Sequence, residues 1–261
     1  MRPTLVSHPQ AAGNAVPRSA RAEVDHVWTA TDQRIGIATA FTLFATALVY
    51  VGIMTLGFVA AGGLDAPLVD PVFAIMELLI LVQAPLIVLL FATLCRYAAP
   101  AYRSFSLAAF GLAVVMATIT LSVHFVLLTV GRQVPPSLLP GFDRYFSFQW
   151  PSVAYALDIL AWNYCFGLAL LVAAAIFTGG RLERAVRPGM IIAGVLCLAG
   201  LLGVVTANMQ IRNVGIVGYG GVFPVVTLLM ARVFGRERAD SATEGRDNLD
   251  RSLGVTSRRS V

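Results

Sequence analysis

The hydrophobic positions fall into six long runs, at residues 35–61, 71–94, 104–130, 152–178, 189–207 and 214–234, separated by short polar or Pro- and Gly-bearing segments. A helix needs roughly 20 apolar residues to cross a hydrocarbon core of ~30 Å, and each run supplies about that many. None alternates with the period of two that a barrel strand requires. Apolar residues instead occupy every helical face, interspersed with Gly, Ala, Ser and Thr, as in bundled transmembrane helices. The pattern predicts an all-α polytopic bundle of six transmembrane helices over residues 35–235. Residues 1–34 and 236–261 are polar and too poor in large apolar side chains to bury a core, and are expected to be flexible tails.

Composition supports a membrane chain. Of 261 residues, 57% are hydrophobic and only 13% charged, and mean hydropathy is +0.77; soluble domains carry about 25% charged residues. Residues 1–34 lack the short apolar core of a secretory signal. The net charge of +5 comes from 19 basic residues, all Arg, against 14 acidic ones. Across the six spans these Arg divide unequally: only Arg132, Arg144 and Arg212 fall on the side opposite the termini. By the positive-inside rule both termini are cytoplasmic, so the basic character reflects topology and not nucleic-acid binding. Cys95, Cys165 and Cys197 are dispersed without a CxxC pair, which predicts three reduced thiols and neither a disulfide framework nor a zinc site. No Walker loop, HExxH, GxSxG or nucleotide fingerprint occurs, and no cofactor is implied; one intramembrane His supplies at most one axial haem ligand.

The candidate chemistry lies in three ionisable residues inside the apolar runs: Glu77, His124 and Asp158. Each costs at least ~2.5 kcal/mol at the bilayer centre, so such residues are functional candidates by default. Each sits about six residues from the outer end of its span, ~9 Å below the outer boundary, so all three share one level. Tyr219 and Tyr50 lie near that level. Tyr155, Asp158, Trp162 and Cys165 form a stripe at helical spacing, whereas Asn163 points ~140° away from Asp158, toward a neighbouring helix. Gln83 and the helix-kinking Pro85 lie nearer the midplane.

Two readings follow. Glu77, His124 and Asp158 are either a hydrogen-bonded clamp joining helices two, three and four, or catalytic acid/base groups of a pocket for a small lipophilic molecule, with Tyr155, Trp162, Tyr219 and Gln83 as ligand-binding residues. Proton-linked transport and a non-catalytic assembly or sensory subunit are the alternative functions, and membrane lipids the expected partners. The third loop, residues 131–151, carries Pro-Pro and Pro-Gly breaks, with Tyr145, Phe146, Phe148 and Trp150 suited to an interfacial aromatic belt. Pro151 and Pro188 are expected to open helices four and five. The many Gly residues after position 190 predict tight packing of helices five and six.

The segments WPSVAYALDILAWNYCFGLALL (residues 150–171), RLER and NVGIVGYGGVFPVV resemble a group of uncharacterised six-span bacterial integral membrane proteins. The resemblance implies six spans in a bacterial cytoplasmic membrane, the cell inner membrane, and implies no activity. The topology has a direct check: a tag inserted at residue 66 is expected to be accessible from outside intact cells, and protection there would reverse the orientation.

Overall fold

The computed structural model describes residues 28–63 and 69–236, so the two expected tails fall largely outside the described residues, as does most of the first loop. Six helices among them are long and apolar enough to cross a membrane: α1 (Ala30–Ala61), α2 (Val72–Tyr97), α3 (Arg103–Leu128), α4 (Val153–Ile176), α5 (Glu183–Val205) and α6 (Met209–Arg236). The described residues contain no strand. The chain is an all-α polytopic bundle. The end where α1 starts and α6 finishes is termed proximal, and the opposite end distal.

Polar caps set helix ends that hydrophobicity alone misplaces. Thr29 forms a capping box with Asp32: the Asp32 amide donates to Thr29 Oγ1 at 3.1 Å and the Thr29 amide to the Asp32 carboxylate at 3.0 Å. α1 therefore begins at Ala30, where the hydrophobic run suggested 35. α5 begins at Glu183, so Pro188 lies inside the helix and does not open it. Glu183 is held there by the Tyr97 hydroxyl and the Gly179 amide. The Asn208 side chain accepts from the amides of Gln210 and Ile211, which starts α6 at Met209 and not near 214. The α5–α6 connection shrinks to residues 206–208, and Ala207 takes a left-handed conformation at φ 52° to close it.

α4, α5 and α6 pack almost backbone to backbone because glycines line their contacts. A Cβ on Gly218 would lie 2.6 Å from Ala193 O, one on Gly194 2.8 Å from Gly167 O, and one on Gly203 2.6 Å from Asn208 O. The Asn163 side chain fills the slot between Gly200 and Gly215 and donates to Cys197 O at 3.0 Å, joining α4 to α5 as its turned-away position suggested. Phe91, Met116, Phe166, Leu170, Met190 and Met230 fill the centre of the bundle.

α1 is held mainly at its proximal end. Gln33 Nε2 donates to Phe234 O at 2.6 Å, a Cβ on Gly36 would lie 2.8 Å from the Phe234 ring, and Trp28 packs edge-on against Tyr97 with centroids 5.4 Å apart. Beyond Leu43 only Gly57 is buried. Overpacking a helix contact costs ~1–3 kcal/mol, so Gly215→Ala, whose methyl would displace the Asn163 amide, is expected to lower the melting temperature in detergent. Gly52→Ala, whose methyl meets nothing within 4 Å, should leave it unchanged or raise it slightly.

Candidate functional site

Four helices each bring one ionisable side chain to the distal half of the bundle. Glu77 lies near the start of α2, His124 near the end of α3, Asp158 near the start of α4 and Arg212 in the first turn of α6. All four are buried, with relative exposures of 3%, 1%, 4% and 2%. Charged groups at that depth persist only when paired, and these form one continuous chain. His124 Nδ1 lies 2.7 Å from Glu77 Oε2, His124 Nε2 lies 3.3 Å from Asp158 Oδ1, and Arg212 Nη2 donates to Asp158 Oδ2 at 3.2 Å.

Hydrogen-bond inventory restricts the proton count. Both ring nitrogens of His124 face carboxyl oxygens, and a neutral imidazole has only one N–H. One proton must therefore be shared along the row: His124 is an imidazolium between two carboxylates, or one of Glu77 and Asp158 is protonated and donates to a neutral ring. With Arg212 cationic, the four groups sum to zero charge in each arrangement. Moving that proton across the 2.7 Å contact alters no net charge in the apolar interior.

Aromatic rings surround the row. The Arg212 guanidinium carbon sits 4.8 Å from the Tyr155 ring centroid, a cation–π contact. Phe148 packs 5.7 Å from His124 and edge-on to Tyr155 at 5.1 Å. Trp162 lies 5.1 Å from Tyr219, which borders Arg212. Tyr50 of α1 interacts electrostatically with Tyr219, Asp158, Glu77 and Arg212, so α1 contributes to the surroundings as well. Phe148 and Phe146 thus turn inward from the third loop, Phe146 onto Val123, Leu127 and Ala154. Tyr145, at 52% exposure, keeps the outward position expected of the aromatic belt.

Both helices that carry the Asp158–Arg212 pair widen just beyond it. α4 becomes a π-helix over Leu160–Phe166 and α6 over Val217–Val222, segments that contain Trp162 and Tyr219. Such turns insert an extra residue per turn and shift the phase of everything that follows. Trp162 and Asn163 are both buried there, Asn163 against α5 as its turned-away position predicts.

Of the residues singled out by sequence, Glu77, His124 and Asp158 are brought into direct contact, and Tyr155, Trp162 and Tyr219 lie around them. Gln83 makes no hydrogen bond to the row; its Nε2 is buried without a partner among the described residues. Arg212 was missed as a member, because the hydrophobic run placed it in an external loop. The signal was Asn208 four residues earlier, a strong N-cap that moves the helix start ahead of Arg212. Arg212 Nε is also buried without a partner among the described residues. No group of three or more His, Cys, Asp or Glu there has a metal-binding arrangement. A shallow depression of about 410 Å³ beside the start of α4 is lined by Arg144, Trp150, Pro151, Ser152, Val153 and Ala156, and none of the four charged residues lines it.

A scan against protein-family models found no match, and searches of curated proteins and of solved structures also found none. Removing one member of a buried ion pair costs ~3–5 kcal/mol because its partner stays charged and unpaired. Asp158→Leu is therefore expected to lower the melting temperature sharply, whereas Asp158→Leu combined with Arg212→Met should recover most of the loss in the same thermal assay.

Proposed function

We propose that this membrane protein binds a small lipophilic molecule at the Glu77–His124–Asp158–Arg212 row and exchanges a proton with it through the Glu77–His124 pair. The observation that carries this reading is the buried Nε–H of Arg212, the one atom of the row that is fully buried and has no acceptor among the described residues. Buried donors are almost always satisfied, and a clamp whose sole task is to join helices has no use for one left over. The shared proton supports acid/base chemistry, since it passes between carboxyl and imidazole without a change in net charge. Tyr155, Phe148, Trp162 and Tyr219 supply apolar and aromatic surface for the remainder of the molecule.

The unequal Arg distribution supports a cytoplasmic-membrane location with the distal end outside, and the resemblance supports a bacterial membrane. Proton-linked transport is the second reading. It is favoured by Gln83, whose buried, unpartnered amide lies further along α2 than Glu77 and offers a polar step toward the proximal side.

The test is purification in lipid nanodiscs followed by mass spectrometry of bound small molecules. Wild type is expected to carry a specific lipophile, and Glu77→Gln or Asp158→Asn to reduce its occupancy by roughly tenfold, the value of one hydrogen bond. Unchanged melting of Glu77→Gln with ligand lost supports the binding reading. No ligand in any sample, with strong destabilisation of both variants, supports the clamp. Proton uptake by proteoliposomes that depends on Gln83 supports transport.

A further inference from the structure

We infer that the molecule bound at the row is an uncharged lipophile carrying a ketone-type carbonyl oxygen, which takes its hydrogen bond from Arg212 Nε–H after entering sideways from the bilayer between α1 and α6. This inference rests on the binding reading above and specifies its ligand and route.

The hydrogen-bond inventory sets the class of head group. The fully buried atom of the row that lacks a partner among the described residues is a donor, Arg212 Nε–H, while the Asp158 oxygens, Glu77 Oε2 and both His124 nitrogens are engaged. An orphan donor calls for an acceptor oxygen in the ligand. Asn163 Oδ1 is an orphan acceptor nearby, but its side chain is wedged between Gly200 and Gly215, where an added carbon would already collide. It leaves no room for a ligand. Charge sets the rest. The row is neutral as it stands, so an anionic head group would face Glu77 and Asp158, and a cationic one would compete with Arg212 for Asp158.

The route follows from unequal packing. The four charged residues are at most 4% exposed, whereas Tyr50 and Tyr219 beside them are only partly buried. Tyr50 lies in the distal half of α1, where Leu48, Val49 and Val51 are exposed by 56%, 50% and 39% and only Gly57 beyond Leu43 is buried. At the proximal end the same helix is locked to α6 by Gln33, Gly36 and Phe234. The weakly packed side of the row therefore opens on lipid, where an uncharged lipophile is already dissolved.

The experiment uses purified full-length protein in nanodiscs and two photoreactive probes. One is a decyl-substituted benzophenone, an uncharged aryl ketone, and the other an alkyl diazirine of matched length without a carbonyl. Saturable labelling by the ketone is expected on peptides holding Tyr50 and Tyr219, and a long-chain dialkyl ketone should displace it at roughly tenfold lower concentration than the matching alkane, the factor one hydrogen bond carries. Arg212→Lys keeps a cation for Asp158 and lacks Nε–H, and it should erase that tenfold preference. If this variant does not fold, the wild-type competition decides the matter. Equal displacement by ketone and alkane, stronger displacement by a fatty carboxylate, or saturable labelling by the diazirine alone would overturn the carbonyl class while leaving lipophile binding intact. Saturable labelling confined to α2, α3 and α5 would overturn the route. Absence of saturable labelling with both probes would overturn this inference together with the binding reading.

Discussion

The distal half of the bundle depends on one carboxylate. Asp158 receives Arg212 on one oxygen and faces His124 with the other, and each neighbour is buried more deeply than an isolated charge could be. Without Asp158 the cation of α6 has no counter-charge and the imidazole of α3 faces Glu77 alone. Three helices meet at this group, and a fourth joins through Glu77. Lipid removes the hydrophobic drive for these helices to associate, so the row adds a registration to the one that close packing supplies. The same residues that hold the helices together carry the proton whose position is undetermined by charge balance.

Much of the architecture was legible because lipid imposes simple rules. Six runs of sufficient length give six helices, and three ionisable residues at matched positions in their spans come together because an apolar interior offers few other partners. What escaped was local and polar. Hydropathy puts Arg212 in a loop because it begins a helix where apolar residues begin, whereas the backbone begins it where a cap satisfies the first amides, at Asn208. Thr29 moves the start of α1 for the same reason. The π-turns after Asp158 and before Phe223 were invisible to any fixed-period pattern, since they are departures from the period itself. The inward turn of Phe148 was hidden because an aromatic residue near an interface suits a headgroup and a buried imidazole equally well.

Glycine placement links the fold to the site. Gly203 and Gly200 bring the first turn of α6 against the end of α5, and that close approach carries Arg212 inward to Asp158. The left-handed Ala207 in the three-residue connection belongs to the same device: the turn is too short for the chain to reverse in an ordinary conformation. Sequence reading recognised the small residues as a packing feature, and packing is indeed what they do, but the effect is to position the cation.

The uneven attachment of α1 gives the surrounding bilayer a mechanical handle. Its 32 residues extend ~48 Å, well beyond the ~30 Å of a hydrocarbon core, so the helix must lean or protrude to match the slab around it. Because Gln33 and Gly36 fix one end, a change of lean is expressed at the other, beside Tyr50. Acyl-chain length and sterol-like thickening thereby become variables that bear on how α1 lies beside Tyr50.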